Sequence, residues 1–393
     1  MTALQFRTLA LSAMKTANQS RQDAYVVGVA GFLPLTLSRK DLPTTEPITW
    51  PPRLRVVRSD GAPIEGPRGD FWFAYPRAVV DASGTLHVLW AEPDLPLPTD
   101  PRRLDGQVPT LHSVWYATLR SGSWSRPARV YRNPSLGWDE ISTSRLVRDS
   151  ENGLHLAFSV SDTTSVIYLS APSAPERRWR SIRIRQQSSA GYLDLATGSG
   201  QQVAIVFTAG VALPEQRVNV AFLTRSHDGG RTWSEATQVS GPAEEPAIEP
   251  HVFIDRLSAV RLVWVQQATS TFVGGKLWHV TLADSGRRSA RALALPLNMM
   301  TSHSEAILDG CDTVHLFTVA YPEGGAELRY TRTTSNGWTP WMRPFEQPGG
   351  RVSIEASEDM VHLVWSSHPR ASGPQNPDLS GLAYSTLPVS RKR

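Results

Sequence analysis

The stretch RSHDGGRTWSEATQV, Arg225 to Val239, decides how the rest of the chain is read. Between Ser226 and Trp233 it sets an aspartate, two glycines and a threonine in close succession. Asp228 can accept backbone N–H bonds across a tight turn, as Asx turns do. Gly229 and Gly230 permit positive φ there, and Trp233 can fold beneath the hairpin and cover it. This is chemistry for clamping a turn.

Working outward, one pattern recurs: an apolar stretch, a polar turn, then a short alternating strand ending near an aromatic. It reads RAVVDASGTLHVLW at 77–90 and RLVRDSENGLHLAF at 145–158. YLDLATGSGQQVAIVF, HVFIDRLSAVRLVW, EAILDGCDTVHLFT and SIEASEDMVHLVW follow. The second strands end at Trp90, Phe158, Phe207, Trp264, Thr318 and Trp365, a blade-sized spacing. A third strand follows each, with pairs such as Tyr116/Thr118, Tyr168/Ser170, Phe222/Thr224 and Tyr330/Arg332. Six such repeats, each too small to bury its own faces, predict an all-β fold, a six-bladed β-propeller. The last repeat lacks a fourth strand. The segment WPPRLRV at 50–56 repeats the spacing of WSRPARV at 124–130 and WSEATQV at 233–239. A strand at about 50–58 added to the final blade would close the ring and remove two open edges. The predicted organisation is an extension over 1–46, one propeller over 47–388 and a basic tail over 389–393.

His87, His155, His315 and His362 share one register of the second strand. Their flanks are apolar and different blades keep them apart, so they read as packing or hydrogen-bonding groups and not as metal ligands. No metal or other cofactor is expected. The single cysteine, Cys311, excludes an intrachain disulfide and a cysteine-based metal cluster. The formal charge of +4 comes from scattered arginines, unlike the one-sided charge of a nucleic-acid binder. The densest run, ERRWRSIRIRQQ, reads as a half-buried strand with a solvated arginine face. The apolar stretch AYVVGVAGFLPLTL at 24–37 is too short for an ordinary span. It could belong to a targeting peptide, an anchoring arm or a packed segment. Export or a membrane-peripheral place is the expectation, with membrane contact only through this segment.

The pattern S-x-D-x-G-x-T-W, at Ser226, Asp228, Gly230, Thr232 and Trp233, resembles the Asp-box (BNR repeat) of the sialidase superfamily. RSGSWSRP and TTSNGWTP look like degenerate copies. The resemblance covers most of residues 70–388 and implies that the Asp-box is structural, with the active end opposite it. In an up-and-down blade, the 1–2 and 3–4 turns share one end. The 2–3 loops and blade connections share the other, and here those are the long, irregular segments that carry function on rigid scaffolds.

The resemblance also implies a carboxylate-gripping arginine in the first blade, but FAYPRAVVDASGTLHVLWAE has Ala74 there. Such a charge-assisted bond is worth about 1.5–3 kcal/mol. Arg77 lies three residues on, where an alternating strand points it the other way. Asp94, Asp100 and Asp105 stand where the catalytic aspartate is implied, Asp105 the best of them, and Glu249 matches the activating glutamate. The second and third arginines would fall near Val265 or Gln266 and near Ala326 or Glu327. The tyrosine nucleophile would fall near Arg351. Most of the reaction groups are missing. The expected function is therefore a non-catalytic, sialidase-like propeller, a binding or structural subunit for a protein partner in a larger complex or for a glycan. The alternative is a glycoside hydrolase with a rearranged carboxylate site, using Asp105 and Glu249. Tyr75, Arg77, Arg145, Tyr192, Glu249, His251, Glu305 and Arg351, at the starts of first strands, are the candidate mouth residues.

Overall fold

The computed structural model describes residues 77–81, 83–93, 112–120, 123–132, 141–160, 165–173, 178–185, 190–212, 217–241, 246–267, 275–283, 288–295, 301–320, 327–344, 349–356, 360–367 and 381–388. The 50–58 strand, the 1–46 extension and the 389–393 tail lie outside them. The described secondary structure is strand only, in six antiparallel up-and-down sheets.

The chain divides into two compact units. Residues 73–294 carry four sheets. The first comprises β1 (Arg77–Val80), β2 (Leu86–Pro93), β3 (His112–Arg120) and β4 (Ser123–Trp124), with β5 (Ala128–Arg132) also pairing with β3. The second is β6 (Ile141–Arg148), β7 (Leu154–Val160), β8 (Ser165–Ala171) and β9 (Arg180–Arg185). The third is β10 (Ala190–Thr197), β11 (Val203–Ala212), β12 (Arg217–Ser226) and β13 (Thr237–Gln238). The fourth is β14 (Ala247–Ile254), β15 (Val260–Gln266), β16 (Lys276–Leu282) and β17 (Arg288–Ala294). The second unit holds β18 (Thr301–Leu308), β19 (Val314–Ala320), β20 (Glu327–Thr334) and β21 (Gly337–Trp338) as one sheet. Its other sheet is β22 (Gly349–Ala356), β23 (Met360–Ser367) and β24 (Gly381–Pro388).

The second strands β2, β7, β11, β15 and β19 are largely apolar runs because both of their faces are covered. β7 and β19 are buried along their whole length. The cores lie between consecutive sheets. Leu89 and Val114 meet Leu156 and Phe158; Tyr168 and Ile184 meet Leu195 and Phe207; Ala204 and Val206 meet Val252 and Trp264. In the other unit Phe317 and Tyr330 meet Ile354 and Leu363. Outer strands are wet: β9 keeps Ile184 buried while Arg183 stays exposed, as the alternation predicts.

The 1–2 hairpins repeat one construction. Asp81, Asp149, Asp255 and Asp309 each accept two backbone N–H bonds through Oδ1, from the residues two and four positions on. The third position on takes positive φ at Gly84, Asn152, Ser258 and Asp312. In three of these hairpins Oδ2 meets Nε2 of the second-strand histidine, at 3.0 Å for His87, 2.9 Å for His155 and 3.0 Å for His315. Nδ1 of each then meets a third-strand tyrosine hydroxyl: Tyr116 at 2.7 Å, Tyr168 at 2.5 Å and Tyr330 at 2.8 Å. The described histidines of this register therefore serve hydrogen-bonded packing, as their spacing suggested; the side chain of His362 lies outside the described residues.

The Ser226–Trp233 turn joins β12 to β13 as expected. Asp228 Oδ1 accepts from the N–H groups of Arg231 (2.8 Å) and Thr232 (2.9 Å) and from the Ser226 hydroxyl (2.7 Å). The Thr232 hydroxyl donates to Oδ2 at 2.7 Å. These donors, Thr232 foremost, hold the Asp228 carboxyl well below the usual carboxylate range. Trp233 reaches further than its own hairpin: its ring meets Tyr168 of the preceding sheet edge-on, with centroids 4.9 Å apart.

Candidate functional site

Every full first strand except β1 is irregular near its start. The pairing register shifts between Ile141 and Ser144, Ala190 and Leu193, Ile248 and His251, Ser302 and Glu305, and Gly349 and Val352. Such bulges set two residues against one and re-aim side chains. They lie at the opposite end of the strands from the clamped hairpins. The Ser226–Trp233 turn belongs to the hairpin end, because the Gly229 N–H donates to the Gln201 carbonyl in the β10–β11 turn (2.8 Å).

Just beyond the bulges, the residue four positions before the end-of-strand turn is ionisable in five consecutive sheets: Arg77, Arg145, Asp194, His251 and Glu305. Within the first unit these groups connect. Arg77 Nε donates to the Ser144 carbonyl, beside Arg145. Arg145 Nε lies 3.1 Å from Asp194 Oδ1, and His251 Nδ1 lies 3.5 Å from Asp194 Oδ2. The backbone N–H groups of Leu195 (2.9 Å) and Val252 (3.2 Å) also donate to Asp194. Burial pushes the Asp194 carboxyl up, but the Arg145 guanidinium, His251 and the Leu195 N–H together outweigh it and hold the group lowered. Asp194 is thus a buried, fixed anion with its lone pairs engaged.

Two residues before this level stand Tyr192 and Glu249. The Tyr192 side chain is 44% exposed, whereas Glu249 is buried. Glu249 has φ of 48°, a left-handed conformation unusual for a non-glycine residue, just before Pro250. In the β10 bulge, a Cβ on Gly191 would come within 2.7 Å of Thr208 Oγ1, so only glycine lets this backbone press against β11.

Of the sequence-predicted mouth residues, Arg77, Arg145, Tyr192, Glu249 and His251 thus gather on four successive first strands. Glu305 occupies the same register in β18 of the other unit. Arg351 lies in β22, but its side chain is outside the described residues, as are Tyr75, Ala74, Asp94, Asp100 and Asp105. At the positions where arginines were implied, Val265 and Gln266 are buried in β15, and Glu327 is held by Arg329. The residue that sequence reasoning missed is Asp194. Its signal was its place four residues before the turn in YLDLATG, level with Arg145 and His251. Among the described residues no group of three or more histidine, cysteine, aspartate or glutamate side chains is arranged to hold a metal ion. None of the helical elements needed to cross a membrane occurs among them either.

Neither a protein-family model nor a curated protein matches the chain. Solved structures do. A protein of unknown function from Dyadobacter fermentans is 12% identical with a TM-score of 0.53, over 81% of this chain and 95% of that one. The Penicillium chrysogenum α-L-arabinanase is 15% identical with a TM-score of 0.49, over 88% of this chain and 99% of that one. The Fusarium graminearum α-L-arabinofuranosidase is 11% identical with a TM-score of 0.48, over 80% of this chain and 93% of that one. At 12% identity the first likeness is one of architecture, and with its repeated up-and-down antiparallel sheets the chain has an all-β propeller fold.

Proposed function

We propose that the protein is a non-catalytic, sialidase-like propeller of six blades that binds a glycan at its bulged end. In this reading the Ser226–Trp233 turn is an Asp-box that fastens the opposite end. The 50–58 segment supplies the fourth strand beside β24. The observation that carries the reading is the condition of Asp194. A general acid or base must exchange a proton with the substrate. Asp194 is instead buried, with both carboxylate oxygens taken up by Arg145, His251 and two backbone N–H groups. It occupies Arg145, the guanidinium at the centre of the cluster, which supports binding over a carboxylate-gripping reaction site. An exposed tyrosine two residues before a carboxylate that holds a guanidinium suits a polyhydroxylated ligand, where a few placed polar groups give orientation. A protein partner in a larger complex is the other occupant of this end.

One observation favours a second reading. The positive φ of Glu249 is backbone strain of the kind that gathers at functional sites, costing about 1–3 kcal/mol. It makes Glu249 the carboxylate of choice in a rearranged glycoside hydrolase. Fluorogenic sialosides and neutral aryl glycosides separate the two readings. We expect no turnover above buffer while oligosaccharide binding persists. Turnover that Glu249→Gln abolishes would establish the hydrolase instead.

A further inference from the structure

We infer that the bulged end of β6, β10 and β14 takes an uncharged sugar ring stacked on the side chain of Tyr192, in preference to an acidic sugar. The inference rests on the glycan reading above and names its ligand class. Among the described residues three large apolar side chains are exposed: Tyr192, Leu257 and Met342. Leu257 lies in the β14–β15 turn, at the hairpin end, and Met342 follows β21 in the other unit. Tyr192 alone belongs to a bulge of the first unit. The exposure is built into the backbone there. Gly191 presses against Thr208, Leu193 and Asp194 turn inward to burial, and the residue between them is left outward. The equivalent bulges carry Ser142 and Thr143, or Glu249 and Pro250, so among the described bulges of the first unit Tyr192 is the single aromatic platform. A tyrosine ring offers a rigid amphipathic surface at low entropic cost. It matches the apolar C–H face of a pyranose or furanose ring while the hydroxyls point to polar neighbours.

Charge selects among sugars. On the described first strands of this unit, Arg77 and Arg145 supply two formal positive charges at the bulged end and Asp194 and Glu249 two negative ones, so this row of charges sums to zero. An acidic sugar desolvated against Arg145 would compete with the buried Asp194 carboxylate already paired with it. The Arg145 side chain is still 37% exposed, so it can donate to neutral hydroxyls without leaving Asp194.

The test is calorimetric titration of the full chain with mannohexaose, cellohexaose and arabinohexaose as neutral probes. Sialyllactose and hexagalacturonate serve as acidic ones. We expect a neutral probe to bind about tenfold or more tightly than either acidic probe. Tyr192→Ala should weaken that binding by about tenfold, and Tyr192→Phe should retain it. A neutral probe bound equally by wild type and Tyr192→Ala would overturn the stacking and leave the glycan reading standing. Preference for an acidic probe would overturn the charge argument in the same way. Binding of none of the five would remove both the inference and the reading beneath it.

Discussion

Gly230 sits where two constraints meet. Its φ of 81° is a left-handed conformation that side chains resist, and a Cβ there would collide with the Tyr168 ring of the preceding sheet. Gly200 has a similar φ of 63° but open space around it. Alanine at Gly200 should therefore cost about 1 kcal/mol, from backbone strain alone. Alanine at Gly230 should cost about 2 kcal/mol or more, because overpacking adds to strain. Urea unfolding of the two variants checks this, and equal costs would mean that Tyr168 is not seated against the turn. The first half of this argument was legible in the sequence, since S-x-D-x-G-x-T-W demands a glycine for its own turn. The second half was not, because nothing local says that the residue beneath Gly230 is Tyr168, 62 positions earlier in numbering. Asp194 makes the same point for the site. Its register was readable, but its value comes from Arg145 and His251 on neighbouring sheets.

At the scale of the hairpin, three sheets use the aspartate–histidine–tyrosine relay and the fourth rewrites it. Arg261 stands at the histidine position, with Nε 2.8 Å from Asp255 Oδ2, and His279 stands at the tyrosine position. Burial pushes the His279 imidazole down to about 4, and the Arg261 and Arg291 guanidiniums add to this. The unfolded chain therefore takes up a proton near pH 6.5 that the folded chain refuses until about 4. The sign follows directly: stability is full above pH 6.5 and falls as pH drops through that window, by roughly 3 kcal/mol for this group. Unfolding free energies measured from pH 7 to pH 4 should show this slope reduced in His279→Gln. An unchanged slope would show that His279 stays neutral at no cost. The aspartate and histidine were visible in the sequence as a fixed six-residue interval. Their hydrogen bonding was visible only as a structural role, and the exchange of partners in the fourth sheet was not visible, because arginine and histidine swap strands.

For the whole chain the decisive proposal is closure. Among the described residues β24 pairs with β23 alone, as the edge of a three-stranded sheet. If the 50–58 segment pairs there, deleting residues 1–58 will bare a strand edge able to recruit a second chain. Size-exclusion chromatography with light scattering should then show self-association, and the melting temperature should fall. A truncated chain that stays monomeric with an unchanged melting temperature would place that segment elsewhere. The fold itself was readable because its instructions are short-range. Strand alternation, turn aspartates, left-handed turn positions and the repeat period all act within a few residues or within one sheet. The candidate mouth was half readable for the same reason: register placed Arg77, Arg145 and His251 level with one another. Which of those charges are spent on each other was settled by packing between sheets, where groups some 50 residues apart come within about 3 Å. By itself the sequence determined a propeller of repeated hairpins; only the tertiary structure turned a row of charged residues into a buried anion held by Arg145 and His251 beside an exposed ring.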